Sequence, residues 1–195
     1  MKFTHFHVHS QYSILDGAAS IPGLIDKAIA DGMSAISLTD HGSMYGIKLF
    51  YDICRKKGIK PILGCETYVA RVSRFSKTQQ ADRSGEHLIL LAKNLTGYKN
   101  LVKLVSAAHV EGFYYRPRID KELLQQYHEG LIVSSACLGG EIDQKIMSGN
   151  LEGAEAAAKW YQDLFGEDYY LEVMRHPATD PKLRAEVYDQ EQLCI

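Results

Sequence analysis

The stretch MSAISLTDHG, residues 33–42, indicates the fold of this chain. Its first seven residues are mostly apolar and suit a short buried strand, which the polar Asp-His-Gly triplet at 40–42 ends. Apolar residues recur at helical spacing before it, over 22–31, and after it, over 44–57. A buried strand between two helices of this length is typical of a βα unit.

The same alternation of strands and helices continues along the chain. Apolar strands separated by helices indicate parallel βα units, arranged either as a barrel or as an open sheet. Further helices are predicted at 96–109, 120–127 (capped by Asp120), 141–147 and 150–165, with a last one from about residue 180. Six strands are predicted, at residues 3–9, 33–39, 59–70, 87–92, 131–136 and 169–174.

Composition indicates a soluble globular protein. The 195 residues carry a net charge of −2, with 46% hydrophobic and 24% charged residues, which suits one large domain or two small ones. Such a chain needs no metal to fold, so we expect any bound metal to be functional. The four cysteines lack Cys-x-x-Cys spacing, so the sequence suggests neither zinc fingers nor thioredoxin chemistry. Without a signal-peptide pattern or a membrane-spanning run, we expect a cytoplasmic protein.

The His-Val-His motif at residues 7–9 is a candidate metal site. Residues i and i+2 of a strand share a face, so the imidazoles of His7 and His9 can reach one metal ion. We expect Phe6 and Val8 to pack against helices on the other face, and His5 to pack more deeply on the histidine face. The alternative is a pair of histidines that are satisfied in the core or at the surface.

Polar residues at predicted strand ends are the next candidates, because sites in βα folds lie at the carboxyl ends of strands. His41 is a candidate ligand. Asp40 is a candidate partner that orients a neighbouring imidazole, or else the N-cap of the next helix. Glu66 follows a buried run and needs water, a partner or a metal, unless it is exposed beyond the strand.

Four further residues carry weaker signals. Asp16 precedes a glycine, where an Asp-Gly turn is the default interpretation. His87 begins a strand instead of ending one, which conflicts with the usual site geometry. Cys137 is either a small apolar filler or a thiolate ligand. His176 follows a strand end and is a candidate substrate contact.

The candidates together indicate metal-dependent chemistry. Mixed imidazole and carboxylate ligands suit zinc, manganese or iron. Two or three such ions are the usual apparatus for phosphoester hydrolysis, because they activate water near neutral pH and bind phosphate oxygens. The sequence has neither a glycine-rich phosphate loop nor a Gly-x-Ser-x-Gly elbow, so we predict no catalytic side chain beyond metal-activated water.

The polar loop at residues 71–86 is a separate feature. It is basic, with Arg71, Arg74, Lys77 and Arg83, and it has no periodicity. These side chains are candidate contacts for DNA phosphates, and a solvated mobile loop is the alternative.

The whole chain resembles the PHP (polymerase and histidinol phosphatase) domains at the amino-terminal end of bacterial replicative polymerase alpha subunits. Three of its motifs, at residues 96–101, 112–120 and 135–141, resemble the polymerase branch more than the free-standing phosphatases. The resemblance rests on the motifs His7-Val8-His9-Ser10, Ser13-x-x-Asp16-Gly17, Thr39-Asp40-His41-Gly42, Gly64-Cys65-Glu66, His87-Leu88 with Ala92-Lys93-Asn94, Thr96-Gly97-Tyr98-Lys99-Asn100-Leu101, Gly112–Asp120 and Ser135-Ala136-Cys137-Leu138-Gly139-Gly140-Glu141.

The resemblance implies a distorted (β/α)7 TIM-like barrel around two to three zinc, manganese or iron ions. The family also has a late Asp-x-His motif that these residues lack, so we expect residues 1–195 to be a carboxy-terminally truncated PHP domain. The implied ligands are His7, His9 and Glu66 for one ion, Glu66, His87 and Cys137 for a second, and Asp16 and His41 for a third.

The resemblance also implies a function. The whole protein is expected to be a DNA-directed DNA polymerase of the bacterial cytoplasm, with DNA and the remaining polymerase domains as partners and no membrane. The domain itself is expected to be a metal-dependent phosphoesterase, a 3′–5′ exonuclease in proofreading. The alternatives are a pyrophosphatase, or a catalytically silent module that docks a separate proofreading exonuclease subunit.

Overall fold

The computed structural model describes residues 3–14, 16–78 and 80–174. The described part of the chain contains six α-helices and six strands. The helices are α1 Ile21–Ala30, α2 Ile47–Lys57, α3 Leu95–Val110, α4 Lys121–Tyr127, α5 Glu141–Met147 and α6 Leu151–Phe165. The strands are β1 Ala35–Leu38, β2 Lys60–Val69, β3 Glu86–Ala92, β4 Arg118–Ile119, β5 Leu131–Ser134 and β6 Tyr169–Tyr170.

The helices begin and end where local chemistry predicts. The side chains of Ser20, Asn94, Asp120 and Asn150 each accept a hydrogen bond from the backbone N–H three residues on, at the starts of α1, α3, α4 and α6. Gly58 ends α2 in the left-handed conformation, with φ of 76°. The predicted helices, including the Asp120 cap, are confirmed. The helix predicted from about residue 180 lies outside the described residues.

The sheet is mixed, which confirms the α/β class but corrects the parallel arrangement. Its order is β1-β2-β3-β5-β6, with the short β4 beside β2. β3 is antiparallel to both of its neighbours, whereas the β1–β2, β2–β4 and β5–β6 pairs are parallel. No α-helix lies between β2 and β3 within the described residues, so the chain returns beside β2 in the opposite direction.

The predicted distorted (β/α)7 barrel is not seen in the described part of the chain. The sheet there is open, with β1 and β6 at its two ends and no pairing between them. The two-residue strand β4 was not predicted, and the strand predicted over 169–174 is shorter than expected, since only β6 is regular.

Residues 3–9 do not form the predicted strand. The backbone N–H groups of Ser37 and Thr39 donate to the carbonyls of His5 and Val8, at 3.1 and 2.8 Å. The donors are two residues apart and the acceptors three, so the first segment bulges between them and a regular ladder cannot form. The segment nonetheless runs beside β1.

The bulge changes which side chains of this segment are buried. Phe6 is 54% exposed, so its predicted packing against helices is wrong. His5 is also exposed, and its predicted packing role is wrong. Val8 contacts the core formed by α1, α2 and β1 as predicted. Strand parity fails here because it assumes an unbroken pleat.

The two faces of the sheet have different roles. One face of β2, β3 and β5 packs against α3, α4 and α6 through residues such as Leu88, Leu90 and Val133. The alternate residues of these strands point to the other face, where β2 and β3 contribute Glu66, Tyr68 and His87. The helices therefore cover one face, and the functional candidates lie on the other.

The basic loop between β2 and β3 is anchored to the fold. Arg118 is 1% exposed, and its guanidinium donates to the carbonyls of Asp82, Arg74 and Ser76. Arg74 is itself paired with Asp120 at 3.0 Å. The prediction of a loop is confirmed apart from a 3₁₀ turn at Gln80–Arg83. Of its four basic residues, Arg74 is buried, whereas Arg71, Lys77 and Arg83 are exposed to solvent. None of the helices within the described ranges has the length and apolar character that a bilayer crossing requires.

Candidate metal centre

The carboxylate of Glu66 lies at the centre of a group of imidazoles. Glu66 is completely buried on β2. Its Oε2 lies 3.2 Å from His7 Nε2 and 2.9 Å from His9 Nε2. The same oxygen lies 2.9 Å from His41 Nδ1, and Oε1 lies 2.8 Å from His87 Nδ1. The structure therefore brings the four predicted histidines together around the predicted carboxylate.

The neighbouring backbone holds His41 against Glu66. The residue follows β1, where Glu66 N donates to Asp40 O at 3.2 Å and Gly42 N donates to Glu66 O at 2.8 Å. These two hydrogen bonds continue the parallel β1–β2 pairing past the end of β1. His41, a candidate ligand at a predicted strand end, thus lies directly beside Glu66.

The reversal of β3 explains why His87 reaches the site from the beginning of a strand. Because β3 is antiparallel to β2, His87 pairs with Tyr68 near the carboxyl end of β2. The start of β3 therefore lies at the edge where β2 ends. A Cβ on Gly139 would lie 2.9–3.1 Å from the His87 ring, so a glycine allows the turn after β5 to pack against this imidazole.

Cys137 joins the group from the turn after β5. Its Sγ lies 3.6 Å from His87 Nδ1 and 3.8 Å from Glu66 Oε1. The preceding Ala136 is fully buried and has φ of 65°, a left-handed conformation that costs a non-glycine residue roughly 1–2 kcal/mol. Such strain is common where a backbone must direct a functional side chain.

Asp16 lies in a tight turn and also contacts a candidate ligand. Its Oδ2 is 2.7 Å from His41 Nε2. The turn is closed by Gly17, whose N–H donates to Ser13 O at 2.7 Å, and a Cβ on Gly17 would lie 1.9 Å from Ser10 O. Asp16 therefore forms the Asp-Gly turn that was the default interpretation and also lies beside the candidate ligand His41.

Asp40 reaches the group indirectly. Its buried carboxylate accepts hydrogen bonds from Ser10 N at 2.6 Å and from Ser13 Oγ at 3.1 Å. Ser13 Oγ in turn lies 2.8 Å from His9 Nδ1. Gly46, not Asp40, is the N-cap of α2. Asp40 is thus placed to orient His9 through Ser13. His176, the predicted substrate contact, lies outside the described residues.

Sequence reasoning missed Glu172. Its Oε1 accepts a hydrogen bond from His7 Nδ1 at 2.8 Å, and its Oε2 accepts one from Ser134 Oγ at 2.6 Å. Carboxylates often hold a metal-binding histidine in this way from behind. Glu172 follows β6 in the structure, but it lies inside the strand predicted over 169–174, so the strand-end rule did not select it.

The hydrogen bonds leave electron-rich atoms facing one another. His7 donates from Nδ1 to a carboxylate. His9 donates from Nδ1 to Ser13, whose own hydroxyl proton goes to Asp40. In the neutral imidazoles, each Nε2 therefore carries a lone pair. These two atoms are 3.0 Å apart and both face Glu66 Oε2, an arrangement that requires protons or a metal ion between them.

When no metal is bound, protons on the imidazoles separate the facing lone pairs from one another and from the carboxylate. Burial lowers the pKa of His7, but hydrogen bonds to Glu172 and Glu66 outweigh it and raise that pKa to about 9. Burial likewise lowers the pKa of His87, while Cys137 and Glu66 raise it to about 9. Burial acts to raise the pKa of Glu66, yet the surrounding imidazoles hold it well below its usual range.

The residues present fit divalent metal ions. Among the described residues, His41 Nδ1 and Glu66 Oε2 are buried without a hydrogen-bond partner of acceptable geometry. Ligand atoms lie close enough together to hold ions in three groups, two of which share Glu66. The assignment of ligands to individual ions stays a prediction. The three groups are His7, His9 and Glu66; His41, Glu66 and His87; and His9, Asp16 and His41.

The chain belongs to the PHP domain family, which matches it over residues 5–176. Its relatives include the DNA polymerase III subunit alpha of Borreliella burgdorferi, 52% identical over 92% of this chain and 16% of that protein. The same subunit of Treponema pallidum is 48% identical over 93% of this chain and 16% of the relative. The chain thus spans about a sixth of the length of the relatives it matches.

The chain also has a weak likeness to a solved structure. A two-domain protein from Bacteroides vulgatus, described as containing a predicted PHP-like metal-dependent phosphoesterase, has a TM-score of 0.44 and 17% identity. The match covers 86% of this chain and 49% of that one. The family membership rests on the sequence match alone.

Removing the carboxylate of Glu172 tests whether its hydrogen bond to His7 supports metal binding. We expect Glu172→Ala to weaken zinc binding by roughly 10–100-fold, because His7 loses the partner that sets its tautomer and orientation. Competition with a chromophoric chelator measures the affinity. The matched control is Glu167→Ala, an exposed carboxylate outside the metal centre, which should leave the affinity unchanged. Equal affinities for the Glu172→Ala and wild-type proteins would contradict the role.

The pKa values predict the pH dependence of metal binding. In the metal-free protein, His7 and His87 each carry an additional proton up to about pH 9, and they belong to different ion groups, so each ion must displace one of these protons below that pH. The apparent zinc affinity of each group should therefore rise with pH, by about tenfold per unit from that proton, and flatten above pH 9. Calorimetric titration at several pH values, with His128→Gln as control, measures the slope. A flat profile between pH 6.5 and 8.5 would rule out this proton competition.

Proposed function

We propose that this chain is the metal-dependent phosphoesterase domain of a replicative DNA polymerase and that it removes nucleotides from the 3′ ends of DNA. The observation that carries the proposal is the buried carboxylate of Glu66 with four imidazoles around it. Two to three zinc, manganese or iron ions fit such imidazole and carboxylate ligands.

The proposed ligands are those that converge on this carboxylate. Bound ions would lower the pKa of a water molecule, so that it can attack near neutral pH, and would provide positive charge for phosphate oxygens. The ligands are His7, His9, Asp16, His41, Glu66, His87 and Cys137.

The chain's own residues keep this centre in one geometry. Glu172 holds His7, and the Asp40–Ser13 pair holds His9, so neither imidazole has to reorient when a substrate arrives. An open cleft of about 430 Å³ borders His41 and His87 and provides access for a phosphodiester. No covalent nucleophile is needed in this arrangement.

The relatives support the cellular setting. Because they are named DNA polymerase III subunit alpha, we assign DNA and the remaining domains of a DNA-directed DNA polymerase as partners of this domain. The bacterial cytoplasm, where chromosomal DNA is replicated, is the corresponding location. A 3′–5′ exonuclease beside a polymerase would serve proofreading.

The intact polymerase subunit tests the activity. With manganese or zinc and without deoxynucleoside triphosphates, it should shorten a 5′-labelled single strand from the 3′ end. Glu66→Gln removes the carboxylate shared by two ion groups and should lower the rate about a thousandfold, which corresponds to about 4 kcal/mol of transition-state stabilisation. His9→Ala should have a similar effect. Gel analysis of the shortened strands gives the rates.

The control makes the same chemical change on the surface. Glu155→Gln alters an exposed residue of α6 and should retain the wild-type rate. Full metal occupancy with no nucleotide release would overturn the proposal. Hydrolysis of inorganic pyrophosphate instead of DNA would identify a pyrophosphatase, and inactivity on both would identify a silent docking module.

A further inference from the structure

The cleft beside the metal centre is lined with aromatic side chains. It is bordered by His41 and His87 on one side and opens to solvent. Three of its large apolar residues are strongly exposed: Tyr45 by 69%, Phe113 by 52% and Tyr115 by 60%. Exposed aromatic rings grouped in one concavity are typical of a binding site, because apolar surface left in contact with water is unfavourable unless a ligand covers it.

The backbone presents Tyr115 at the tip of a tight turn. Tyr114 N donates to Arg116 O at 3.0 Å, and Tyr115 between them has φ of 62°. The ring of Tyr114 lies 5.6 Å from the guanidinium of Arg118, which is buried and bonded to backbone carbonyls. The base of the turn is therefore anchored, and the turn directs Tyr115 outward in a conformation that a tyrosine rarely adopts.

Positive charge accompanies the aromatic rings. The guanidinium of Arg83 lies 4.8 Å from the centre of the Tyr115 ring, and that of Arg116 lies 5.6 Å from the centre of the Tyr68 ring. Within the described residues, neither arginine forms an ion pair with a carboxylate. Both charges therefore remain for a ligand.

Tyr68 connects this charge to the metal centre. Its ring stacks on His41 with centroids 5.8 Å apart and meets His87 edge-on at 5.2 Å. Arg116 is thus separated from two candidate ligands by one aromatic ring. A phosphate next to the cleaved one would lie near Arg116 if the cleaved phosphate sits at the ions.

We propose that this cleft is a nucleobase subsite, in which a base at the 3′ end of a single strand stacks on Tyr115 and Phe113 while Arg116 contacts an adjacent phosphate. The proposal rests on the proposed phosphoesterase function and names its substrate: a single-stranded end with bases, as opposed to a small phosphate ester. Exposed rings with interleaved arginines are the combination that binds single strands without sequence preference.

A pair of oligonucleotides tests the subsite on the intact polymerase subunit. Both carry the same 5′ label, and they differ in the last two residues, which are thymidines in one and abasic tetrahydrofuran residues in the other. The wild-type protein should cleave the thymidine end with a kcat/KM about tenfold higher or more, since a stacked base strengthens binding by roughly that factor. Tyr115→Ala should abolish this preference and leave cleavage of the abasic end unchanged.

Two controls separate stacking from structural damage. Tyr115→Phe keeps the ring and should keep the preference. Tyr51→Ala removes a tyrosine of α2 that is 43% exposed outside the cleft, and it should keep the preference as well. Equal losses on both oligonucleotides, or no loss on either, would overturn the subsite while leaving the phosphoesterase intact.

A second measurement applies if the protein cleaves neither strand, in which case the proposed function fails. A 5-bromodeoxyuridine-terminated oligonucleotide is then photo-cross-linked to the wild-type subunit in the presence of manganese, and the adduct is mapped by mass spectrometry. Adducts on Tyr115 or Phe113 support a base-binding cleft. Adducts confined to other domains overturn it and indicate that another part of the polymerase covers these rings.

Discussion

The buried carboxylate of Glu66 is the constraint on which the rest of the site depends. An ionised carboxylate without compensation would cost several kcal/mol in the interior of a protein. Here it is compensated by four imidazoles that arrive from three different segments: the amino-terminal segment supplies His7 and His9, the end of β1 supplies His41, and the start of β3 supplies His87. Their lone pairs and the anion together require cations, so the same packing that tolerates the charge also creates the metal centre.

The direction of β3 is what allows these segments to meet. In a fully parallel sheet, His87 would lie at the opposite edge from Glu66. The antiparallel pairing of β3 with β2 and β5 brings its first residues to the edge where the other strands end. The left-handed backbone of Ala136 then turns Cys137 back toward His87. The site therefore combines an ordinary sheet edge with one reversed strand and one strained residue.

Local signals in the sequence predicted most of the helices and strands. Caps such as Asp120 and the periodicity of apolar residues depend on near neighbours, and the structure agrees with them. The strand-end rule also selected His41, which follows β1 and lies beside Glu66, since the rule needs only the end of a strand. Glu66 itself lies inside β2.

The failures arose where the answer depends on distant pairing. His87 looked misplaced because no local feature reveals that β3 runs backwards, and only the resemblance to the PHP family marked it as a ligand. His5 and Phe6 were predicted wrongly because the bulge depends on how the segment pairs with β1. Glu172 was missed because the strand was predicted to run to residue 174, whereas β6 ends at Tyr170, and because its partner, His7, lies 165 positions away.

The central claim is that metal ions occupy the space around Glu66. Crystals of the protein grown with zinc or manganese and measured at the corresponding absorption edge test it directly. Anomalous peaks should lie within about 2.0–2.2 Å of a Glu66 oxygen and of the facing histidine nitrogens. Metal-loaded crystals in which the Glu66 carboxylate has no anomalous peak beside it would contradict the account.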